Sequence, residues 1–494
     1  MADADQSYVD EPGKRVPVAY EADVVVAGAG IAGTIAAIAA GRHGAKTIIV
    51  DRFGQIGGNM GPGMFAGGSL HFALKNQSDA DDTELLNRTG MGSIADEFHR
   101  RVIFGRPNAD RITPEVRRQL EQTHHNVSGY TMGSGGGSPG YLVDSQISSA
   151  VALEMMDEAG VETLMSVYVS DPIMVGHRVC GLFVETISGR WALRSKIVID
   201  ATGQADVAMR AGAPVLQQMV PNMGLWYSLG GVDWDRYEQF CSENEQANED
   251  DLAWARRTLP GARSEADPAA GDNHLLPLIR KAWEANEFKY KRQVGTGIIH
   301  IAIRRITDGM AGGRTGTAGE IDVADAKIYS QMEREHRGHI YQWARFLRKY
   351  VPGFEDSYIL VVAPFLGSRG GRYMDGVHTA SREDMETERQ FDDVLYEYND
   401  RRSQKNCDVP YRTLVPQRID GLLACGRSSV PYGPNFRMRS NMLMNGQAAG
   451  IAASLCVNEN VEPRDLDVRK LQKILVDLDC PVAEDERLVG LGLK

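Results

Sequence analysis

The chain opens on a polar stretch and turns apolar at Val24, and from Val24 to Gly41 it runs 18 residues without a charge. That length touches the lower limit for a membrane span. The pattern inside it is different: a β-branched run (Val24, Val25, Val26), a Gly-rich turn (Gly28–Gly30), and a small-residue helix from Ile31 to Arg42. We read strand Asp23–Ala27, turn, helix to about His43, and a second strand Thr47–Val50 ending on Asp51, which is a βαβ unit. From Phe53 to Gly68 glycine recurs (Gly54, Gly57, Gly58, Gly61, Gly63, Gly67, Gly68). Backbone of that kind, straight after a βαβ unit, is suited to pressing against a ligand.

Further along, Asp79 to about Thr123 is polar with periodic apolar positions and suits an inserted helical lobe, while Gly133–Gly140 reads as a mobile loop. Ser145–Ala159 is helical by pattern. Three extended runs follow, Tyr168–Ile173, Arg178–Glu185 and Trp191–Ile199, divided by turns at Gly176-His177 and Ser188-Gly189, a three-stranded meander. Beyond Gly212 come amphipathic pieces and an acid-rich run, Glu243 to Asp251, expected to be a solvated face. Asp322 to about Tyr350 reads as a long helix stopping before Pro352-Gly353. Gly421–Cys425 is a short buried strand, and Met442–Cys456 a small-residue helix. No fixed-period repeat is present.

Composition narrows the classes. With 494 residues, 43% hydrophobic and 24% charged, the chain is long enough for several folding units of ordinary globular make-up. Its 54 bases against 66 acids give a net charge of −12, which disfavours a counterion-release grip on nucleic acid or an anionic membrane. The six cysteines (Cys180, Cys241, Cys407, Cys425, Cys456, Cys480) form no C-x-x-C pair, against a zinc site or disulfide framework. Acids stand where a secretory signal needs bases, so a cytoplasmic location is expected, with no metal.

The chemistry begins at GAGIAG. Gly28, Gly30 and Gly33 follow a strand and open a helix, and Asp51 closes the next strand. The first glycine permits the tight turn, the second lets backbone approach a pyrophosphate, and the third lets helix pack on strand. Phosphates then sit on the helix N-terminus while Asp51 accepts from a ribose hydroxyl. NAD and FAD both use this fingerprint. The Gly57-Gly58 doublet after Asp51-Arg52 resembles the flavoproteins with a glutathione-reductase-like FAD fold. KIVIDATG (Lys196–Gly203), GLLACGR (Gly421–Arg427) and GQAAG (Gly446–Gly450) add to the likeness, as do DATGQADVAMRAGAP (Asp200–Pro214) and GSRGGR (Gly367–Arg372), which is similar to a G-x-R-x-x-R motif. Together they resemble the FAD-dependent oxidoreductase family found in bacteria and related to fumarate-reductase-type flavoproteins. Two departures are visible: Gly370 stands where relatives commonly have an acid, and the 430–440 segment lacks a histidine that relatives often carry.

The resemblance implies FAD contacts from Gly28, Gly30, Gly33, Asp51, Arg52, Gly57, Gly58, Asn59, Met60, Val169, Ala201, Thr202, Gly203, Gly426, Arg427, Gln447 and Ala448. The amides of Gln447 and Ala448, as a helix N-terminus, would stabilise reduced flavin. No C-x-x-x-x-C pair lies in 50–80 and no second dinucleotide fold is evident, which excludes the flavin disulfide reductases and leaves nicotinamide electrons to arrive by transient docking or from another protein. For the substrate side, His71 is a candidate acid–base group, with the His124-His125 pair beside the Gly-rich loop. Arg369, Arg372, Arg437 and Arg439 offer guanidinium forks for a carboxylate or polyol. Tyr432 and Asn435 can add polar contacts.

These observations predict an α/β chain with a Rossmann-like FAD-binding domain of glutathione-reductase type, assembled from discontinuous segments, and an inserted α+β substrate domain. The expected divisions are 1–78, 141–214 and 406–460 for the FAD domain, 79–140 for the helical insertion and loop, 215–405 for the substrate domain, and 461–494 for a C-terminal extension. The expected reaction is dehydrogenation of a small polar organic molecule, or its reverse, by hydride transfer at flavin N5, with His71, Arg369, Arg437 and Tyr432 in the catalytic site. A flavin monooxygenase and a flavin-dependent nucleic-acid-modifying protein are the alternatives. Partners are a small-molecule substrate and an external electron acceptor (O₂ or a carrier protein), with a homo-oligomer open and neither nucleic acid nor membrane expected.

Overall fold

The computed structural model describes residues 13–59, 68–71, 91–104, 140–143, 145–219, 224–244, 246–259, 273–288, 296–297, 303–317, 320–400, 405–431 and 438–494, with 9, 11, 433 and 436. Its centre is a five-stranded parallel sheet of β1 (Val24–Ala27), β2 (Thr47–Asp51), β3 (Glu162–Met165), β4 (Ile197–Asp200) and β5 (Leu422–Ala424), in the order β5-β4-β1-β2-β3. Strands β1, β4 and β5 are buried along their whole length. That burial is why they read as unbroken apolar runs rather than as alternation. Helices α1 (Ile31–Arg42), α2 (Ser145–Glu158) and α3 (Arg439–Glu459) cover one face, in one continuous core with the sheet.

Glycine decides how closely α1 and α3 approach. A Cβ on Gly446 would lie 2.2 Å from the Ala32 carbonyl oxygen, and one on Gly450 2.1 Å from that of Ala36. The other face of the sheet carries the meander Tyr168–Val175, Arg178–Thr186 and Gly189–Arg194, extended by Val18–Glu21 running parallel to Gly189–Arg194. The expected third run, Trp191–Ile199, therefore divides: Gly189–Arg194 belongs to the meander and Ile197–Asp200 to the parallel sheet. Of the expected helical lobe the structure describes Ser93–Phe104, and the 133–139 stretch lies outside the described residues.

A second core is built around the antiparallel strands Arg304–Thr307, Gly309–Arg314, Trp226–Val232 and Tyr358–Val362, with the 25-residue helix Ala326–Tyr350 packed on it through Met332, Ile340, Trp343 and Leu347. Asp325 caps that helix by accepting from the Lys327 and Ile328 amides. Most of the acid-rich run is exposed as expected, but Asp251 is buried and pairs with Arg280 at 3.1 Å. No helix among the described residues is long and apolar enough to cross a membrane.

Three buried histidines make stability depend on pH. Burial holds His99 down to about 3, His336 to about 3 and His339 to about 4, against an ordinary 6.5. They stay neutral in the folded chain while the unfolded chain takes up protons below 6.5. Stability is therefore complete above that value and is lost as the pH falls, by about 2 kcal/mol per histidine near pH 5. Urea midpoints at neutral and mildly acid pH should fall with acid, and His336→Gln should reduce the slope. An unchanged midpoint would contradict neutral burial.

Candidate functional site

The C-terminal ends of β1, β4 and β5 meet at one edge of the sheet, where ligands of open α/β folds bind. The three glycines of the first turn act there differently. Gly28 has φ +105°, and a Cβ on it would lie 2.6 Å from the Ala201 carbonyl oxygen, so only glycine lets β1 end against β4. A Cβ on Gly33 would fall 1.9 Å from the Gly28 oxygen, which is how α1 seats on the strand end. Gly30 has an ordinary φ of −73°, and a Cβ there meets nothing within 4 Å. The amides of Ile31, Ala32 and Gly33 open α1 there, ahead of Thr34 N, which donates to the Gly30 carbonyl.

The glycine doublet crosses this turn. Gly57 N donates to the Ala29 carbonyl at 2.8 Å, and a Cβ on Gly58, at φ +52°, would lie 3.0 Å from Gly30 Cα. Ser149 on α2 holds the approach by donating to the Ile56 carbonyl at 2.5 Å. The result is a turn at which backbone amides gather at a helix start, the arrangement that suits a pyrophosphate.

Asp51 closes the base of this turn. Its carboxylate accepts from Ala29 N at 2.6 Å and from Phe53 N at 2.8 Å, so it ties the first turn to the second strand's exit. Burial raises its carboxyl above the usual range, opposed by those two amides. A carboxylate has about four acceptor positions, which leaves capacity for a ribose hydroxyl. Arg52 lies over the Phe53 ring at 4.8 Å, and Phe53 stacks on Phe365 with centroids 4.4 Å apart. Asn59 follows the doublet in a turn, and Met60 lies outside the described residues. Val169 lies in the meander, its carbonyl accepting from Arg210, while Val167 N bonds the Asp51 carbonyl.

The opposite wall rests on a residue that motif reading passed over. Asp200 is fully buried and accepts five hydrogen bonds: from Thr202 N, Thr202 Oγ1 and Ser428 Oγ on one oxygen, and from Val207 N and Ala208 N on the other. Ser428 Oγ in turn accepts from Gly203 N at 2.9 Å and Ala205 N at 3.2 Å. The turn Ala201–Thr202–Gly203 is thus fixed from both sides. Asn445, also buried, accepts from Gly426 N at 2.6 Å and locks the end of β5. A readable signal existed for Asp200: an acid ending a buried strand, with Thr two residues on and a helix behind it, is an acceptor for turn and helix amides.

The arginines separate. Arg372 pairs with Asp206 at 2.7 Å, and Arg439 is buried at the first turn of α3. Arg427 donates to the carbonyls of Ser368 at 3.0 Å and Gly370 at 2.5 Å and to Ser368 Oγ at 3.3 Å. Gly370 has φ +64°, a local reason for glycine where the resemblance led us to expect an acid. Arg369, between them, is part-exposed and, among the described residues, has no hydrogen-bond, ion-pair or ring partner.

One expectation is corrected. Gln447 and Ala448 do not stand at a helix N-terminus, because α3 begins at Arg439, so their amides are spent on bonds inside the helix. The Gln447 side chain donates to Cys480 Sγ at 2.8 Å, and Gly446 and Gly450 of GQAAG let α3 pack closely on α1. His71 ends the strand Gly68–His71, its backbone paired with Gly140. His124, His125, Tyr432, Asn435 and Arg437 lie outside the described residues.

The chain matches the FAD dependent oxidoreductase family over residues 23–475. It is 26% identical over 181 residues to digeranylgeranylglycerophospholipid reductase 1 of Methanococcoides burtonii, covering 37% of each chain. To thiamine thiazole synthase of Sulfolobus acidocaldarius it is 27% identical over 215 residues, 42% of this chain and 62% of that one. The matches therefore span less than two thirds of these relatives' lengths. Among solved structures it is similar to a geranylgeranyl bacteriochlorophyll reductase-like protein of Thermoplasma acidophilum, with a TM-score of 0.41, 13% identity and 96% of both chains covered. It is also similar to p-nitrophenol 4-monooxygenase of Pseudomonas putida, with a TM-score of 0.42, 10% identity, and 96% and 92% covered. The open space at Gly30, the crossing doublet and the anchored Asp51 fit the dinucleotide half of FAD. With this turn and a family match over nearly its whole length, the chain belongs to the FAD dependent oxidoreductase family and is an enzyme that uses FAD.

Proposed function

We propose that this enzyme oxidises, or in reverse reduces, a small polar organic acid, and that Arg369 holds the acid's carboxylate. The observation that carries this reading is a guanidinium without a partner among the described residues, on a segment whose backbone is held on both sides of it. Ser368 and Gly370 are tied to Arg427, and Arg372 N donates to Gln204 Oε1 at 2.9 Å, against the turn that ends β4. A guanidinium fork with no acid partner among the described residues is matched in shape to a carboxylate.

FAD, when bound, supplies the hydride acceptor or donor at flavin N5. The chain's own part is binding and orientation. Gly28, Gly30, Gly33, Gly57 and Gly58 receive the diphosphate, Asp51 takes the ribose, and Thr202 and Gly203 face it across the cleft. The stacked Phe53 and Phe365 close one side, with Tyr329 beside them donating to the Leu366 carbonyl at 3.1 Å. Burial pushes the Tyr329 phenol up to about 12, so it stays protonated as a donor at neutral pH. His71 and Tyr432 remain candidates for moving the substrate proton, Arg437 for a second substrate contact, and O₂ or a carrier protein for taking the electrons. The GSRGGR motif supports kinship with the fumarate-reductase-type flavoproteins under this reading.

Arg369→Ala should keep full FAD while losing about 2–5 kcal/mol of transition-state stabilisation with the acid that bleaches the flavin fastest. Arg369→Lys should recover only part. Full turnover in the alanine variant would put the substrate elsewhere.

A further inference from the structure

The segment that carries Arg369 is held by both parts of the molecule. On its N-terminal side Arg337 donates to the Ala363 carbonyl at 3.2 Å and the Pro364 carbonyl at 2.9 Å, Glu333 accepts from Leu366 N at 2.5 Å, and Gly367 N donates to the Gly224 carbonyl at 2.9 Å. These grips come from the second core. On its C-terminal side the grip comes from the FAD-binding part: Gln204 accepts from Arg372 N, and Arg427 donates to the carbonyls of Ser368 and Gly370. Arg427 binds both the residue before Arg369 and the residue after it. Its guanidinium is spent on main-chain oxygens 57 and 59 positions away, reached from the 3₁₀ turn at the end of β5.

We propose that Arg427 is a positioning residue. Its side chain does not hold FAD but fixes the Ser368–Gly370 backbone, and through it the direction of the Arg369 fork. This rests on Arg369 being the carboxylate anchor, and it adds a cause for that side chain's orientation. A planar fork presents two donors at a fixed spacing to carbonyls on either side of one residue, whereas an ammonium offers its donors from one nitrogen on a flexible stem and does not fix that spacing.

The test uses FAD-loaded full-length protein as wild type, Arg427→Lys, Arg427→Ala and Arg369→Ala. Two quantities are read: amide hydrogen exchange across residues 367–371, and the flavin difference spectrum on titration with succinate, with uncharged succinamide as control. Both Arg427 variants should retain stoichiometric FAD and show faster exchange in 367–371. Their succinate affinity should fall at least about tenfold, with succinamide unaffected. Ethylguanidinium added to Arg427→Ala should restore succinate binding, which a general loss of stability would not permit. Loss of FAD from Arg427→Lys would overturn the proposal and make Arg427 a cofactor contact. Unchanged exchange and unchanged affinity would overturn it too. Arg369→Ala separates the two readings. If the wild type gives no succinate signal, or Arg369→Ala keeps it, the anchor reading fails, whereas faster exchange in the Arg427 variants would still establish the grip on the segment.

Discussion

Gly30→Val should yield a folded, colourless protein. The glycine's φ of −73° suits any residue and an added Cβ meets nothing within 4 Å, so the fold should tolerate a side chain here. The branched side chain then stands at the start of α1, where a pyrophosphate would sit. FAD affinity should drop at least about 100-fold, near 3 kcal/mol, while the melting temperature of the FAD-free protein stays put. Gly33→Ala is the contrasting case, because its Cβ would overlap the Gly28 oxygen and should destabilise the fold itself. Cofactor titration and thermal melts on both variants separate these causes. Wild-type FAD affinity in Gly30→Val would mean that the pyrophosphate site is misplaced.

Asp200→Ala should cause the largest loss of stability of any single change around the site. It strands five donors, three of them buried, among them the Val207 and Ala208 amides that start the following helix. Removing a buried charged acceptor of this kind costs on the order of 3–5 kcal/mol, or about 3–5 °C in melting temperature for a chain of this length. The Ala201–Gly203 turn loses its shape at the same time, so FAD content should fall as well. Asp200→Asn keeps the volume but presents an N–H₂ to donors, and should fall between. A melting temperature unchanged in Asp200→Ala would show that the network contributes nothing to stability.

The legible parts of this chain were those in which one local feature has one physical cause. The β-branched run, the glycine spacing and the terminal Asp51 each constrain backbone or charge within a few residues, so the βαβ unit could be read directly. Val18–Glu21 and Glu162–Met165 were not legible as strands: they lie at sheet edges, mostly exposed, without the apolar pattern that announces a buried strand. The start of α3 was missed for the opposite reason. Arg439, Ser440 and Asn441 are polar yet buried, so the helix seemed to begin where apolar residues do. Gly446 and Gly450 carry the mark of a ligand-facing turn, but their small size serves the contact with α1. The fork of Arg427 answers to carbonyls nearly sixty residues away, a relation that no local pattern encodes.

The most direct measurement of the proposed reaction is anaerobic mixing of FAD-loaded enzyme with a panel of small organic acids and their neutral amides, following the flavin's visible absorbance. Bleaching by one or more hydroxy or amino acids, absent with the matching amides and strongly slowed in Arg369→Ala, is the expected result. Bleaching that is equally fast with acid and amide, and unaffected by Arg369→Ala, would contradict it.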